Sequence, residues 1–177
     1  MDEIRSDMER VLDLGTGDGR LLALVLTKSE RAAGVAVDFS PAMLERCRER
    51  FQADARVQVV AHDLAEPLAE LGLFDAVVSS FAIHHVAHER KRTLYGEIWD
   101  RLRSGGVFVN LEHVSSPTAA LHERFLSALE IRPEDEDPSN QLLDVETQLG
   151  WLREVGFIDV DCLWKWRELA LLRGAKR

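Results

Sequence analysis

The residues best suited to chemistry sit just past a series of short apolar runs. The segment VLDLGTGDGRLL at 11–22 carries Gly15, Gly17 and Gly19 between a strand-like stretch and a helix-like one. Glycines there let the chain turn sharply and bring its backbone against a ligand with no Cβ in between. Asp38 ends the next run, about 20 residues on, where a carboxylate can accept both ribose hydroxyls of a nucleoside. Asp63, in AHDL, ends the third run. It could take a hydrogen bond from an exocyclic adenine amine, with Leu64 lying under the base. His84 and His85 follow the fourth run, and histidine, titrating near neutrality, suits removal of a proton from a reacting group. Glu112 and His113 close the fifth run and are expected to face the same crevice, within reach of a second reactant.

Bringing these groups together requires a particular frame. The runs Val11–Leu14, Gly34–Val37, Val57–Ala61, Phe74–Ser79 and Val107–Leu111 are near-continuously apolar, as parallel strands covered on both faces should be. Helix-like stretches lie among them: Gly19–Lys28, a second opened by Ser40-Pro41, and Glu89–Arg103 ahead of Ser104-Gly105-Gly106. Ser40 is expected to cap its helix, with Pro41 in the first turn. Further on, Ser116-Pro117 opens a helix to about Glu130, and another from about Asp144 to Val155 stops at Gly156. The closing runs Phe157–Trp166 and Leu169–Leu172 are joined by Arg167-Glu168 alone. That link is too short for a parallel crossover, so these strands pair antiparallel. The alternation implies right-handed βαβ units, an α/β doubly wound sheet, and a ligand crevice at the strand ends.

Lesser features carry expectations too. Gly150, inside a helix, hints at a close backbone approach, since glycine there costs about 1 kcal/mol relative to alanine. Trp164 and Trp166 share one strand face and should pack against a helix. The run PEDEDPSN at 133–140 reads as a solvated loop placed where it could act as a mobile lid.

The 177 residues suit one domain, residues 1–177, and 46% apolar with 30% charged side chains is an ordinary globular balance. The polar start MDEIRSDMER is no secretion signal, and no apolar run nears the roughly 20 residues a membrane span needs. A cytoplasmic protein without a membrane partner is expected. Cys47 and Cys162 read as buried free thiols. A formal charge of −9 repels polyanions and favours a small or neutral substrate over nucleic acid, despite the local cluster of His88, Arg90, Lys91 and Arg92.

Dinucleotide-dependent oxidoreductases share this frame, but their turn reads G-x-G-x-x-G, and Arg20 occupies the third glycine position here. The only tyrosine, Tyr95, is followed four residues later by Trp99, so no Tyr-x-x-x-Lys pair exists. The terminal hairpin is foreign to that topology as well.

Taken together, VLDLGTGDGRLL, GVAVDFSPAML, HDL, FDAVVSSFAIHHV, RLRSGGVFVNLEHV and the closing GFIDVDCLWKWRELALLRGAKR resemble the class I S-adenosylmethionine-dependent methyltransferases. The resemblance implies an enzyme with a Rossmann-like sheet of seven strands, the last antiparallel, and helices on both faces. It implies S-adenosyl-L-methionine as donor and S-adenosylhomocysteine as product. On the same grounds the turn Asp13–Gly19, including Gly15, Thr16 and Gly17, would hold the methionine part. Asp38 would hold the ribose and Phe39 one adenine face. Asp63 and Leu64 would complete the adenine pocket, and Ser79 and Ser80 would line the methionine side.

Members of that family usually carry helices before the first strand that cover the donor. About ten residues precede Val11, so those cap helices are short or missing, and a second copy or another partner is expected to cover the open site. Ser79-Ser80-Phe81-Ala82 stands where enzymes methylating amide or base nitrogens carry Asn/Asp-Pro-Pro-aromatic, which favours an O or C acceptor. In-line positioning can supply roughly 7–11 kcal/mol of the barrier. A base, His84 or His85, is needed only when the acceptor must lose a proton. His84, His85 and His88 lack a well-spaced further ligand, so no metal is expected. The alternative from another class is a binding or scaffold module that keeps the fold without turnover.

Overall fold

The computed structural model describes residues 3–177. Its strands are β1 (Arg10–Leu14), β2 (Ala33–Asp38), β3 (Val57–Ala61), β4 (Phe74–Ser80), β5 (Leu102–His113), β6 (Ile158–Trp166) and β7 (Leu169–Ala175). The helices are α1 (Arg20–Lys28), α2 (Pro41–Arg50), α3 (His88–Arg101), α4 (Ala119–Ala128) and α5 (Val145–Val155). One seven-stranded sheet runs in the order β3-β2-β1-β4-β5-β7-β6. β1 to β5 are parallel, while β7 lies antiparallel between β5 and β6.

Alternation along the strands explains the two covered faces, because successive side chains point to opposite sides. Leu12 and Leu14 of β1, with Val35 and Val37 of β2, join Leu94, Tyr95 and Ile98 of α3 and Leu149 and Leu152 of α5 in one core. Val11 and Ala36 point the other way, to Leu22, Val25 and Leu26 of α1 and Cys47 of α2. The chain reverses sheet direction between β1 and its neighbours β2 and β4, the switch point at which open α/β sheets leave a crevice. The expected site residues lie at, or within a few positions past, the carboxyl ends of β1 to β5.

The helix ends depart from the expected boundaries in three places. Ser40 occupies the cap position of α2, but its side chain makes no capping bond; its backbone N–H instead donates to Asp38 Oδ1 at 2.8 Å. α3 stops at Arg101, because Leu102 is already extended and paired with Phe74. The register then jumps to Ala76↔Val107, and Gly105 (φ 76°) turns the intervening bulge inside the strand rather than ending the helix. α4 begins later than Ser116-Pro117 predicts, since Thr118 supplies the cap, accepting from Leu121 N–H. α5 behaves as read: Asp144 accepts from Thr147 N–H at 2.8 Å, and Gly156 (φ 116°) closes it.

Some minor expectations change as well. A Cβ added at Gly150 would meet nothing within 4 Å, so no close approach demands that glycine. Trp166 packs edge-on to Phe125 of α4, but both Trp164 and Trp166 remain exposed. Cys47 is buried and Cys162 partly so, both unpaired. The basic cluster is not a free patch: Lys91 is buried, Arg90 is paired with Glu97, and Arg92 is paired with Glu154. No helix among the described residues is long and apolar enough to cross a membrane.

Candidate active site

A cavity of about 1060 Å³ opens at the carboxyl ends of β1 to β4. Its floor is the β1–α1 turn, where Gly15, Gly17 and Gly19 all adopt positive φ. Their roles differ. Gly17 faces open space and lines the cavity. Gly19 does not line it; a Cβ there would lie 2.6 Å from Phe51 and 3.0 Å from Cys47 Sγ, so this glycine lets α2 pack against the start of α1. Gly15 lines the cavity but is also fixed by packing, with Ala82 Cβ 2.0 Å from its would-be Cβ.

Two carboxylates frame that turn. Asp38, 8% exposed, accepts from Gly17 N–H through Oδ2 and from Ser40 N–H through Oδ1, each at 2.8 Å. A carboxylate offers about four lone-pair positions, so each oxygen keeps capacity toward the cavity that Asp38 lines. Asp13 is fully buried beneath the turn, its Oδ2 accepting from the Thr16 hydroxyl at 2.6 Å and its Oδ1 without a partner. Burial pushes its pKa up to about 7; the Thr16 hydroxyl and the Leu22 backbone pull it down, while the charge of Asp38 adds to the rise.

The three residues expected around an adenine line the same cavity. Phe39, 71% exposed, lines the cavity with Asp63 and Leu64. Asp63 Oδ1 takes the Ala65 N–H at 2.9 Å, fixing the loop after β3. Of the β4 serines, Ser80 lines the cavity, but Ser79 does not. Ser79 points into the sheet and donates to Leu14 O at 2.7 Å.

Beyond Ser80 a second cavity, about 430 Å³, opens beside the first. Phe81 and His85 line both. His84 lines only the second. It is buried, with Nδ1 3.0 Å from Glu112 Oε1, and its backbone N–H donates to the same oxygen. Glu112 lines neither cavity, contrary to expectation. Fully buried, it also accepts from Asn110 Nδ2 and His113 N–H, so it anchors the loop after β4 to β5. His113 lines the second cavity, and its Nε2 lies 3.0 Å from the buried Glu168. His85 has its charged form disfavoured, first by desolvation and then by the neighbouring His84, so its pKa falls below the ordinary histidine value.

The segment expected to be a mobile lid walls this second cavity, through Asp135, Glu136, Asp137 and Asn140. It is tied down at several points. Ser139 Oγ lies 2.9 Å from His85 Nδ1, Gln141 N–H donates to His84 O at 2.8 Å, and the buried Lys91 ammonium donates to Gln141 O. Sequence reading missed Ser139 and Gln141, which lie more than fifty positions from the histidines they meet, and no local pattern marks them. It also missed Phe81, held at φ 51° at the junction of the cavities. A non-glycine residue there costs roughly 1–2 kcal/mol. His62, whose buried Nε2 has no partner, lines the first cavity too. No group of three or more His, Cys, Asp or Glu among the described residues is placed to hold a metal.

The profile of a methyltransferase domain matches residues 11–106. The chain is 30% identical over 168 residues to a demethylmenaquinone methyltransferase of Clavibacter sepedonicus, covering 86% of this chain and 67% of that one. It is 23% identical over 180 residues to a carboxy-S-adenosyl-L-methionine synthase of Nautilia profundicola, covering 93% and 76%. Among solved structures, an O-methyltransferase family protein from Burkholderia thailandensis superposes with a TM-score of 0.77 at 22% identity, over 96% of this chain and 51% of that one. The chain thus spans about half the length of that solved structure. With the matched profile running from β1 into β5, across the glycine turn and both carboxylates, the chain belongs to the methyltransferase domain family.

Proposed function

We propose that residues 1–177 work as one domain that methylates a hydroxyl or carbon of a small molecule seated in the second cavity. When bound, S-adenosylmethionine supplies an electrophilic methyl group on a sulfonium. The first cavity suits such a donor: Asp13 Oδ1 is a buried acceptor lacking a donor, Gly17 leaves open space above the turn, and Asp38 keeps unspent lone pairs. In this reading Asp38 accepts the ribose hydroxyls, Phe39 and Leu64 flank the adenine, and Asp63 takes its amine. Asp13, Thr16 and Ser80 border the methionine end.

The observation that carries the reading is the shared wall: Phe81 and His85 line both cavities, so reactants in the two would meet there. With its charged form disfavoured, His85 offers a neutral ring nitrogen to the proton of an acceptor hydroxyl. His84, bound to Glu112, positions that loop. Ser79-Ser80-Phe81-Ala82 lacks the nitrogen-methylating signature, and two similar proteins are named for O-methylation and for a quinone acceptor.

A second reading, formation of a carboxylated donor, takes support from the name of the Nautilia relative. A donor carrying an extra carboxylate calls for a fixed cation at the junction. Arg20 and Arg46 line the first cavity but not the second, and the residues nearest the shared wall include Ser80, Phe81, Ala82 and a histidine whose charged form is disfavoured, so methyl transfer is preferred. Titration calorimetry with S-adenosylhomocysteine, then mass spectrometry after incubation with donor and either a panel of phenols, quinols and carbon acids or a carboxylic acid able to give up carbon dioxide, tests both. Binding with a methylated acceptor is expected. No heat at millimolar concentration, or a carboxylated donor as the product, would overturn the proposal.

A further inference from the structure

The second cavity combines apolar walls with a pair of histidines that the remaining chemistry leaves half used. Phe81, Phe125, Leu126, Leu129 and Ile131 supply the apolar lining, while His85 and His113 stand on either side of His84, whose ring centroid lies 4.0 Å from one and 5.5 Å from the other. Each of the outer rings has one nitrogen engaged by a chain that ends in a carboxylate.

For His113 that partner is Glu168, at the tip of the β6–β7 hairpin and fully buried. Its two oxygens face His113 Nε2 and His122 Nδ1, each at 3.0 Å, and His122 Nε2 continues to Glu136 at 3.2 Å. A carboxylate only accepts, so His113 carries its proton on Nε2 and keeps a lone pair on Nδ1. For His85 the partner is Ser139, whose hydroxyl donates to Asp137 Oδ1 at 2.7 Å while its backbone N–H donates to the same oxygen at 2.9 Å. With its one proton spent on Asp137, the Ser139 oxygen can only accept from His85, 2.9 Å away. His85 therefore carries its proton on Nδ1 and keeps a lone pair on Nε2. The two relays leave opposite ring nitrogens free for the same purpose, accepting a hydrogen bond.

We propose that the acceptor is a ring bearing two hydroxyl groups, one held by His113 Nδ1 and the other presented to His85 Nε2 for methylation. The proposal rests on the donor and acceptor cavities assigned above and names the substrate class they take. The transferred methyl forms a bond to the hydroxyl oxygen as its bond to sulfur breaks, the sulfur keeps that electron pair, and the hydroxyl proton passes to His85. Ser139, Asp137 and Glu168 are positioning residues, because each acts through a histidine.

Long-range proton–nitrogen correlation spectra of the wild-type protein read the relays without any turnover. A proton on Nδ1 of His85 and on Nε2 of His113 is expected. Ser139→Ala should let His85 shift toward the opposite tautomer, Ser139→Thr should hold it, and Glu168→Leu, which has no acceptor, should release His113. The opposite tautomer in the wild type, or no change in Ser139→Ala, would overturn the relays. For the substrate class, kcat/KM for 1,2-, 1,3- and 1,4-dihydroxynaphthalene is compared with that for 1-naphthol. One of the diols should be preferred roughly tenfold or more, as the loss of one buried hydrogen bond dictates, and His113→Phe, which has no acceptor, should erase the preference. Methylation of 1-naphthol at an equal rate, or a preference surviving His113→Phe, would overturn the diol proposal alone. Absence of S-adenosylhomocysteine binding would instead sink the donor assignment beneath it.

Discussion

The two cavities that meet at Phe81 are built from different materials. The first is organised around a backbone turn at the strand ends, where Gly15 and Gly17 line it and Asp13 and Asp38 stand among its charged groups. The second is made of side chains from α4, the hairpin and residues 131–140, and its polar groups bind chiefly one another. One region therefore retains unspent hydrogen-bonding capacity, and the other is internally satisfied. A site left unsatisfied in the free protein costs stability that a bound ligand returns. A satisfied wall contributes stability and selects by shape and by its few free nitrogens.

The largest expected effect comes from removing the acceptor most central to the first region. Asp38→Ala takes away a carboxylate that already orients Gly17 and Ser40. Bonds to charged groups are worth about 1.5–3 kcal/mol each, so S-adenosylhomocysteine affinity should fall at least about tenfold by calorimetry. Equal affinity in wild type and variant would dissolve the contrast, since the backbone cradle would then bind without its carboxylate.

Asp13 sharpens the same contrast through pH. Its folded pKa of about 7 lies above the unfolded value of 3.8. Between these values the folded state holds the proton more tightly, so stability contributed by Asp13 declines as pH rises through that window and stays low above it. Asp13→Asn should therefore raise the melting temperature more at pH 8.5 than at pH 5. A bound cationic methionine group favours the ionised carboxylate, so wild-type donor affinity should weaken as pH falls below about 7, and the variant should lose that dependence. An equal thermal gain at both pH values would remove Asp13 as the strained member of the site.

The contrast also explains what could be read in advance. Backbone-built sites leave local marks: glycines in a turn, an acid at a strand end, a strand before and a helix after. That is why the expected Asp13, Gly17, Asp38, Phe39, Asp63 and Leu64 all line one cavity, and the β6–β7 hairpin was legible from its short link. Gly19 and Ser79 carried the same marks yet serve packing and the sheet, because sequence spacing gives position along a strand but not which neighbour a side chain meets. Glu112 was misplaced on the same account: it lies at the right strand end, but its alternation turns it inward. The second cavity left almost no mark. Ser139 meets His85, and Glu168 meets His113 and His122, only because the chain folds back across α4 and the hairpin.

His122 tests the satisfied region directly. Desolvation opposes its charge, but the Glu168 and Glu136 carboxylates outweigh that cost and raise its pKa. A histidine raised in the folded state stabilises fully below its unfolded pKa of about 6.5 and loses that contribution as pH climbs through the folded value. His122→Gln should cost about 1–2 kcal/mol at pH 6 and clearly less at pH 8.5, by urea unfolding. S-adenosylhomocysteine affinity should stay within about twofold of wild type. A loss of donor binding comparable to that of Asp38→Ala would show that the two regions act as one.

Gly150 gives the smallest effect and the cleanest control. It lies inside α5, whose Leu149 and Leu152 belong to the core on the face away from α1 and α2. A Cβ there meets nothing within 4 Å, and its φ is not left-handed, so alanine fits without strain. Alanine also lowers the conformational freedom of the unfolded chain, and the expected gain is about 0.5–1 kcal/mol. Because α5 lines neither cavity, that gain should leave both donor affinity and the histidine tautomers untouched. If stabilising this distant helix tightened donor binding, stability itself would be setting affinity, and the effects at Asp13 and His122 would need to be corrected for it before either cavity could be credited with them.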